Sequence, residues 1–423
     1  DIRDEVNSVN GKTGAVEINA DDIPFNGSGT NYLVGETEVE GAIKELDTRV
    51  KTNADGKVDI SKQVPKTPNM TNPVGIDLNG KLWVEPKPDP IIKVRGMGSL
   101  DTMVSYEGNL QPNLTHSDND NIRVYSNTFD DVFPYNEMKE VEDDLGNVFI
   151  KIPPIFFKFY HNEEGYLRGF DMSNKKLDND YDLFPIHKKG ASYFGKYEGR
   201  IESGELRSIS GVSPTGSVPI ADFRNAAQAV GDKYFANDWQ QWNIIQLLMT
   251  AYFGTTNGDL YFADIDGSKE NTGTMNGYTT AADLESGKNV FFGIENILKN
   301  MRHFIDGVVI NDHDIYFAND YTKYADTNTS DYHFVNEALI GDGYIKEYGG
   351  GFGLYPMVRG GGASSTTYYP DYNYHNTESV EERVVYDGSH WVSDASHGVW
   401  HWHANGAFSL VYSAFGSRLN KSS

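Results

Sequence analysis

Tyr386-Asp387-Gly388-Ser389-His390-Trp391-Val392-Ser393-Asp394-Ala395-Ser396-His397-Gly398-Val399-Trp400-His401-Trp402-His403-Ala404-Asn405 is the stretch on which the reading of this chain turns. It carries four of the chain's 11 His and three of its 6 Trp. Two readings compete for it: aromatic strands in a β-rich core, or a recognition surface of rigid aromatic anchors mixed with adaptable Ser, Asn, Asp and Gly. A core strand alternates apolar with polar residues, whereas His401-Trp402-His403 and Ser364-Ser365-Thr366-Thr367-Tyr368-Tyr369 supply few purely apolar partners. The recognition surface is therefore the expectation. Its candidate residues are His390, Trp391, Ser393, Asp394, His397, Trp400, His401, Trp402 and His403, with Tyr368, Tyr369, Tyr372 and Tyr374 from a preceding Tyr-rich loop. On this reading Trp400 and Trp402 are exposed contacts, and removing them costs ligand binding rather than stability.

Working back toward the N-terminus, the chain from residue 254 onward alternates Gly-rich loops with short strands, and two helices precede it. One spans 221–230 with Phe223, Ala226, Ala227 and Val230 on a face; the other spans 238–252 with Trp239, Trp242, Ile245, Leu248, Met249 and Tyr252. Residues 91–220 carry short β-like runs broken by Asn, Asp and Gly turns. Few helices among many short strands predict an α+β fold. Residues 51–90 are polar and Pro-rich, ending Glu85-Pro86-Lys87-Pro88-Asp89-Pro90, and read as a semi-rigid linker with one small strand near 81–84. In residues 1–50, Asn10-Gly11 signals a tight turn, and Thr37 with Glu40 has capping-box spacing. Val39, Ile43, Leu46 and Val50 then step as a short coiled-coil seam; an amphipathic helix packed on its own domain fits the same pattern. The expected organisation is an attachment and trimerising segment at 1–50, a linker at 51–90, a small β region at 91–150 and a large domain at 151–423.

Acidic residues outnumber basic ones, 61 against 36, for a formal net charge of −25. Phosphate contacts need clustered Lys and Arg, so nucleic acid and anionic membranes are excluded as expected partners, as is electrostatic capture by teichoic acid or lipopolysaccharide phosphate. The chain has no cysteine, which removes disulfides, thiolate metal sites and cysteine nucleophiles together. No run of about eighteen apolar residues and no basic-then-apolar leader is present, so neither a membrane span nor a secretory signal is expected.

Three segments together resemble the C-type-lectin-fold tail proteins of bacteriophages, the class that includes targets of diversity-generating retroelements. The first runs through Gly195-Lys196-Tyr197-Glu198, Ser208 and Ser210-Gly211 to Phe223-Arg224-Asn225-Ala226 and the helix Trp242-Asn243-Ile244-Ile245-Gln246-Leu247-Leu248. The second, Gly293-Ile294-Glu295-Asn296-Ile297-Leu298-Lys299-Asn300-Met301-Arg302-His303-Phe304-Ile305-Asp306-Gly307, is similar to the family's Gly-Asn-Val-Trp-Glu-Trp-x-Asp-Gly turn. It departs from that turn in having Lys299 for the Gly and Arg302 and Phe304 for the two Trp. The third is Arg359-Gly360-Gly361 with a closing Gly416-Ser417-Arg418-Leu419. The likeness covers residues 152–419, and Val9-Asn10-Gly11-Lys12-Thr13-Gly14-Ala15-Val16 separately resembles a segment common in phage tail fibres. The resemblance implies a C-type-lectin-like C-terminal domain in a homotrimeric tail fibre. That domain would present variable residues to a bacterial cell-surface receptor, and the N-terminus would attach to tail or baseplate proteins of the virion. It also implies that 390–403 is the diversified segment, since Tyr, Asn, Ser, Thr, Asp and His are what adenine-directed mutation of AAY codons produces.

Other chemistry was weighed against this. The oxidases that share the lectin-like fold rely on cysteines, which this chain lacks. His401 and His403 are alternate residues, which on a strand face the same side, but no carboxylate lies near in sequence to complete a metal site, so no metal or cofactor is assigned there. Asp264-Ile265-Asp266-Gly267 with Glu270, and Asp312-His313-Asp314, are partial patterns for a structural calcium. A depolymerase cleaving host surface glycan is the rival function, with Glu378, Glu381 and Glu382 as its candidate carboxylates. The adhesin is expected to be no enzyme.

Overall fold

The computed structural model describes residues 74–76, 82–84 and 91–423, apart from 109, 113–114, 117–121, 124–127, 259–260, 262–268, 277–288, 299, 376–380 and 392–397. The expected turn, capping box and heptad seam of residues 1–50 lie outside them. So do Ser393, Asp394 and His397. The chain divides into two compact units, Asp1–Asp89 and Pro90–Ser423. In the first, Val74–Ile76 and Leu82–Val84 pair as an antiparallel hairpin, which adds a partner to the strand expected near 81–84. No helix among the described residues is long and apolar enough to cross a membrane.

The second unit is a mixed α+β structure of small, mostly antiparallel sheets around two α-helices, α1 (Ile220–Val230) and α2 (Trp239–Phe253). One five-stranded sheet runs in the order Asp182–Leu183, Phe156–His161, Leu167–Ser173, Ile92–Arg95, Ser105–Tyr106. A second runs Tyr234–Ala236, Leu419–Ser422, Ser192–Gly195, Val148–Ile152, Lys139–Glu142. The stretch 91–150, read from the sequence as a region of its own, shares both sheets with later strands, because Ile92–Arg95 pairs with Leu167–Ser173 and Val148–Ile152 with Ser192–Gly195. A third sheet runs Tyr332–Glu337, Asp314–Ala318, Arg302–Asn311, Arg383–Asp387, His403–Ala407, with Phe415–Gly416 pairing in parallel onto Arg302 and His303. A fourth, three-stranded sheet sets Gly343–Gly351 between Gly353–Arg359 and Tyr369–Asn373.

Helix α2 is the hub. Asp238 caps its start, its Oδ1 accepting from Gln241 N at 2.9 Å, and Gly254 at φ 73° ends it in the left-handed conformation that lacks a Cβ penalty. Periodicity suggested one apolar face, yet all 15 residues are buried. Its polar residues are tolerated because each reaches a specific partner, as buried amides must. Gln240 Oε1 accepts from Ile186 N at 2.7 Å, Gln241 Oε1 from Ser192 Oγ at 3.0 Å, and Asn243 Oδ1 from Leu354 N at 2.9 Å. Gln246 Nε2 donates to Val399 O at 2.7 Å, and Trp400 Nε1 donates to Thr250 Oγ1 at 3.1 Å. The helix therefore holds backbone from several loops at once. Among these is the turn that opens the His-Trp-His stretch.

Candidate functional site

The segments singled out in the sequence sort into two constellations, one buried and one reaching solvent. The buried one gathers the first and second segments and the end of the third. Arg418, fully buried, donates through Nη1 to the carbonyls of Gly195 (3.1 Å) and Lys196 (3.2 Å) and through Nη2 to those of Glu295 (2.6 Å) and Asn296 (2.7 Å). Beside it Glu198 Oε2 accepts from Asn300 Nδ2, and Glu198 Oε1 stands 3.8 Å from His303 Nε2. Burial pushes the Glu198 carboxyl up to about 8, against the pull of Arg418, and the same desolvation holds His303 well below its ordinary value and so neutral. Glu295 accepts from the backbone N–H of Gly273 and Met275, both at 2.6 Å. Nearby, Arg224 forks onto Asp306 with two bonds of 2.8 Å and reaches Asp326 at 2.8 Å, so Phe223-Arg224-Asn225-Ala226 and the Asp306-Gly307 end of the second segment are joined by a bidentate pair. Gly307 is required here: at φ +77° any Cβ would lie 2.5 Å from the Tyr324 ring. These groups are buried and cross-linked, which makes them scaffold, although Glu198 Oε1 and both His303 ring nitrogens have no hydrogen bond to a described residue. Arg359-Gly360-Gly361 does not join this network; it ends the strand Gly353–Arg359, and Arg359 Nη1 donates to Asp342 O at 2.8 Å.

The second constellation brings the two expected recognition stretches together. Tyr374 N donates to Trp402 O at 3.0 Å and Ala404 N to Tyr374 O at 2.8 Å, so the Tyr-rich strand and the His-Trp-His stretch lie side by side. Their rings form a continuous series. Tyr344 meets Tyr372 at 5.0 Å between centroids, Tyr372 meets Tyr374 at 5.0 Å, and Tyr374 stacks on His403 at 4.6 Å. His403 stacks on Tyr386 at 4.2 Å, Tyr386 meets Phe415 at 4.4 Å with the rings tilted, and Phe415 meets Tyr412 at 5.3 Å. Tyr412 then meets His390 at 6.2 Å, which meets Trp391 at 5.8 Å. Tyr344, Tyr372, Tyr374, His403, His390 and Trp391 are half-buried and Tyr412 is exposed, while Tyr386 and Phe415 form the floor. At the Tyr412 end, Ser217 N donates to Tyr412 O at 2.9 Å, next to a shallow groove of about 460 Å³ lined by Ile201, Thr215, Val218, Asp222 and Asn225. The sequence reading missed Tyr344, Tyr386 as floor, and Tyr412; only the general excess of Tyr hinted at them.

The expectation that Trp400, Trp402, His401 and Tyr369 are exposed contacts is corrected. Trp400, His401 and Tyr369 have no exposure and Trp402 has 6%. Trp400 packs at 5.0 Å against both Tyr348 and Tyr369, its carbonyl accepts from Tyr348 OH at 2.5 Å, and its indole N–H reaches Thr250. The argument from missing apolar partners failed because Tyr and Trp serve as one another's apolar partners, and the polar tips of Trp400 and Tyr348 find acceptors inside the protein. His401 Nδ1 lies 2.5 Å from Tyr372 O, and its ring is 5.9 Å from that of His403. The strand begins only at His403, so the alternation that would put both imidazoles on one face does not apply. Tyr368, half-buried and at φ 60°, sits off the ring series with its carbonyl accepting from Thr256 Oγ1 at 2.5 Å.

Asp371 anchors the turn beneath the display: its two oxygens accept from Gly398 N and Trp400 N, each at 2.7 Å. Gly398 and Gly258 touch back to back, and a Cβ on Gly398 would come within 2.6 Å of Gly258 Cα, so this approach needs glycine on both sides. Of the two calcium patterns, residues 264–267 lie outside the described residues. Asp312-His313 is the two-residue loop of a hairpin in which Asn311 pairs with Asp314, with φ of 47° and 68°, the type I′ geometry that Asp and His enter at modest cost. Glu381 and Glu382 lie on the surface, Glu381 3.6 Å from Arg383; Glu378 is outside the described residues. No family model matches the chain, and no curated protein matches it.

Proposed function

We propose that this protein is an adhesin, a non-catalytic receptor-binding protein that engages a bacterial surface receptor through the series of rings from Tyr344 to Trp391. More narrowly, it is read as a bacteriophage tail-fibre receptor-binding protein with a C-type-lectin-like domain of the retroelement-diversified class. It acts as a homotrimer on the virion tail, with its N-terminal region attached to tail or baseplate proteins. The observation that carries the reading is the continuous series of aromatic and imidazole rings, half-buried or exposed at both ends and joined through the buried Tyr386 and Phe415. Such faces pack on sugar C–H groups and on protein epitopes at low entropic cost, and the 398–400 turn beside them is held by bonds to its backbone. The convergence of the Gly195–Glu198, Glu295–Asp306 and Arg418 segments on one buried network supports the finer, lectin-like reading, since segments far apart in sequence share one structural task. Single contacts of this kind are weak, and repetition around a trimer and over several fibres converts them into avidity.

The test is binding of the purified chain to a panel of bacterial cells and their surface glycans, with glycan length followed by gel filtration in the same tubes. Saturable binding with intact glycan is expected, weakened at least tenfold by the double substitution Tyr412→Ala and His403→Ala. Shortening of the glycan overturns the adhesin in favour of a depolymerase.

A further inference from the structure

Arg302 occupies the position where the family's turn has Trp, and it differs from every other arginine whose side chain is described. Arg95, Arg168, Arg224 and Arg383 each face a carboxylate; Arg200, Arg359 and Arg418 donate to carbonyls, and Arg207 to Asn147 Oδ1. Arg302 donates to no described residue from any guanidinium nitrogen and forms no ion pair among them, although it is half-buried and its Nε is shut off from solvent. Its backbone is fixed, N–H to Ala414 O at 3.0 Å, and its guanidinium carbon stands 5.9 Å from the Tyr386 ring, in the middle of the ring series. The described carboxylate that acts on it, Asp387, is buried and bonded elsewhere: it accepts from Trp242 Nε1 at 2.5 Å and Gly388 N at 2.6 Å. A fork of donors held beside an aromatic ring without an acceptor among the described residues suits a planar anion, the geometry that carboxylate supplies in two parallel bonds.

We propose that the receptor is an acidic glycan of the uronic-acid type, and that Arg302 grips its carboxylate while the flanking rings hold the sugar faces. This rests on the adhesin reading above. The net charge of −25 does not oppose it at contact, since the protein's field is screened within about 8 Å at physiological salt while the guanidinium acts at bonding distance. The charge instead sets the kinetics: approach is slowed by repulsion, and capture is completed locally.

The experiment uses the surface polysaccharide of a strain that the full chain binds, presented native and after reduction of its carboxylates to primary alcohols. Reduction is expected to weaken binding by tenfold or more. Arg302→Gln should weaken binding to the native glycan by a similar factor and leave binding to the reduced glycan unchanged, the pattern of a direct pair. Raising salt from low to physiological should speed association with the native glycan. Equal binding of native and reduced polysaccharide by the unaltered chain overturns the proposal without reliance on any variant. Binding to a phosphate-bearing, carboxylate-free polysaccharide that depends on Arg302 overturns the carboxylate assignment. Binding to no strain at all removes the adhesin reading, and this inference with it.

Discussion

Arg418 and Arg302 are the same side chain under opposite conditions. Arg418 is sealed in and donates through both terminal nitrogens to four carbonyls from two segments, whereas Arg302 is half-buried and donates to none of the described residues. His303 and His403 differ in burial but in the opposite sense in bonding: His303 is fully buried with neither ring nitrogen hydrogen-bonded to a described residue, whereas half-buried His403 has its Nε2 2.9 Å from Tyr386 OH and stacks in the ring series. Residue type therefore says little about role in this chain. What separates scaffold from display is burial.

The sharpest way to break this comparison is Arg418→Met, which strands four carbonyls and leaves Glu198 and Glu295 without their cation. A loss of about 5 kcal/mol in urea unfolding is expected, the upper end for breaking a buried charge arrangement. A loss under about 1 kcal/mol would move Arg418 out of the scaffold. Next is Trp400→Ala, expected to cost about 3–5 kcal/mol through the cavity and the unpaired Thr250 hydroxyl. Unchanged stability with lost cell binding would restore Trp400 to the surface.

Glu198→Gln sharpens the comparison through pH. The folded state keeps on Glu198 a proton that the unfolded chain releases near the ordinary carboxyl value of 4.5, because the folded value is raised to about 8 by desolvation. Stability from this group is thus fully present at low pH and is lost as pH rises toward 8. The glutamine variant should flatten that decline by roughly 2–4 kcal/mol between pH 5 and 8, read from melting at each pH. An unchanged slope would place the titration elsewhere. The smallest effect on the fold belongs to Tyr412→Ala. Tyr412 is 49% exposed, so the change should stay within about 0.5 kcal/mol of wild type while weakening receptor binding several-fold.

Much of the scaffold was legible. Asp238 before Trp239 and Gly254 after Phe253 bracket α2 with a cap and a left-handed stop, and both helices fall within a residue of where periodicity sets them. The α+β class followed from short strands and two helices. The full burial of α2 did not follow, because Gln240, Gln241, Asn243 and Gln246 look like a solvated face until their distant partners at Ile186, Ser192, Leu354 and Val399 are seen. The display was half legible: the right stretches meet, but period alone could not tell that Trp400 and Tyr369 turn inward while His403 and Tyr374 stay half outside. Tyr412 was invisible, since a lone aromatic in Leu410-Val411-Tyr412-Ser413 carries no pattern. Arg302 registered only as a mismatch in a motif, and that mismatch is the most chemically pointed group on the surface.

The carboxylate of Asp371 and the amide of Gln246 hold the 398–400 turn by its own N–H and C=O groups. Backbone groups are common to all residues, so such a fastening is indifferent to what side chains the flanking positions carry. On the adhesin reading proposed above, half-buried His390 and Trp391 can change without undoing the bonds that hold this turn, and the range of receptors is then set by chemistry at the surface rather than by the risk of losing the fold.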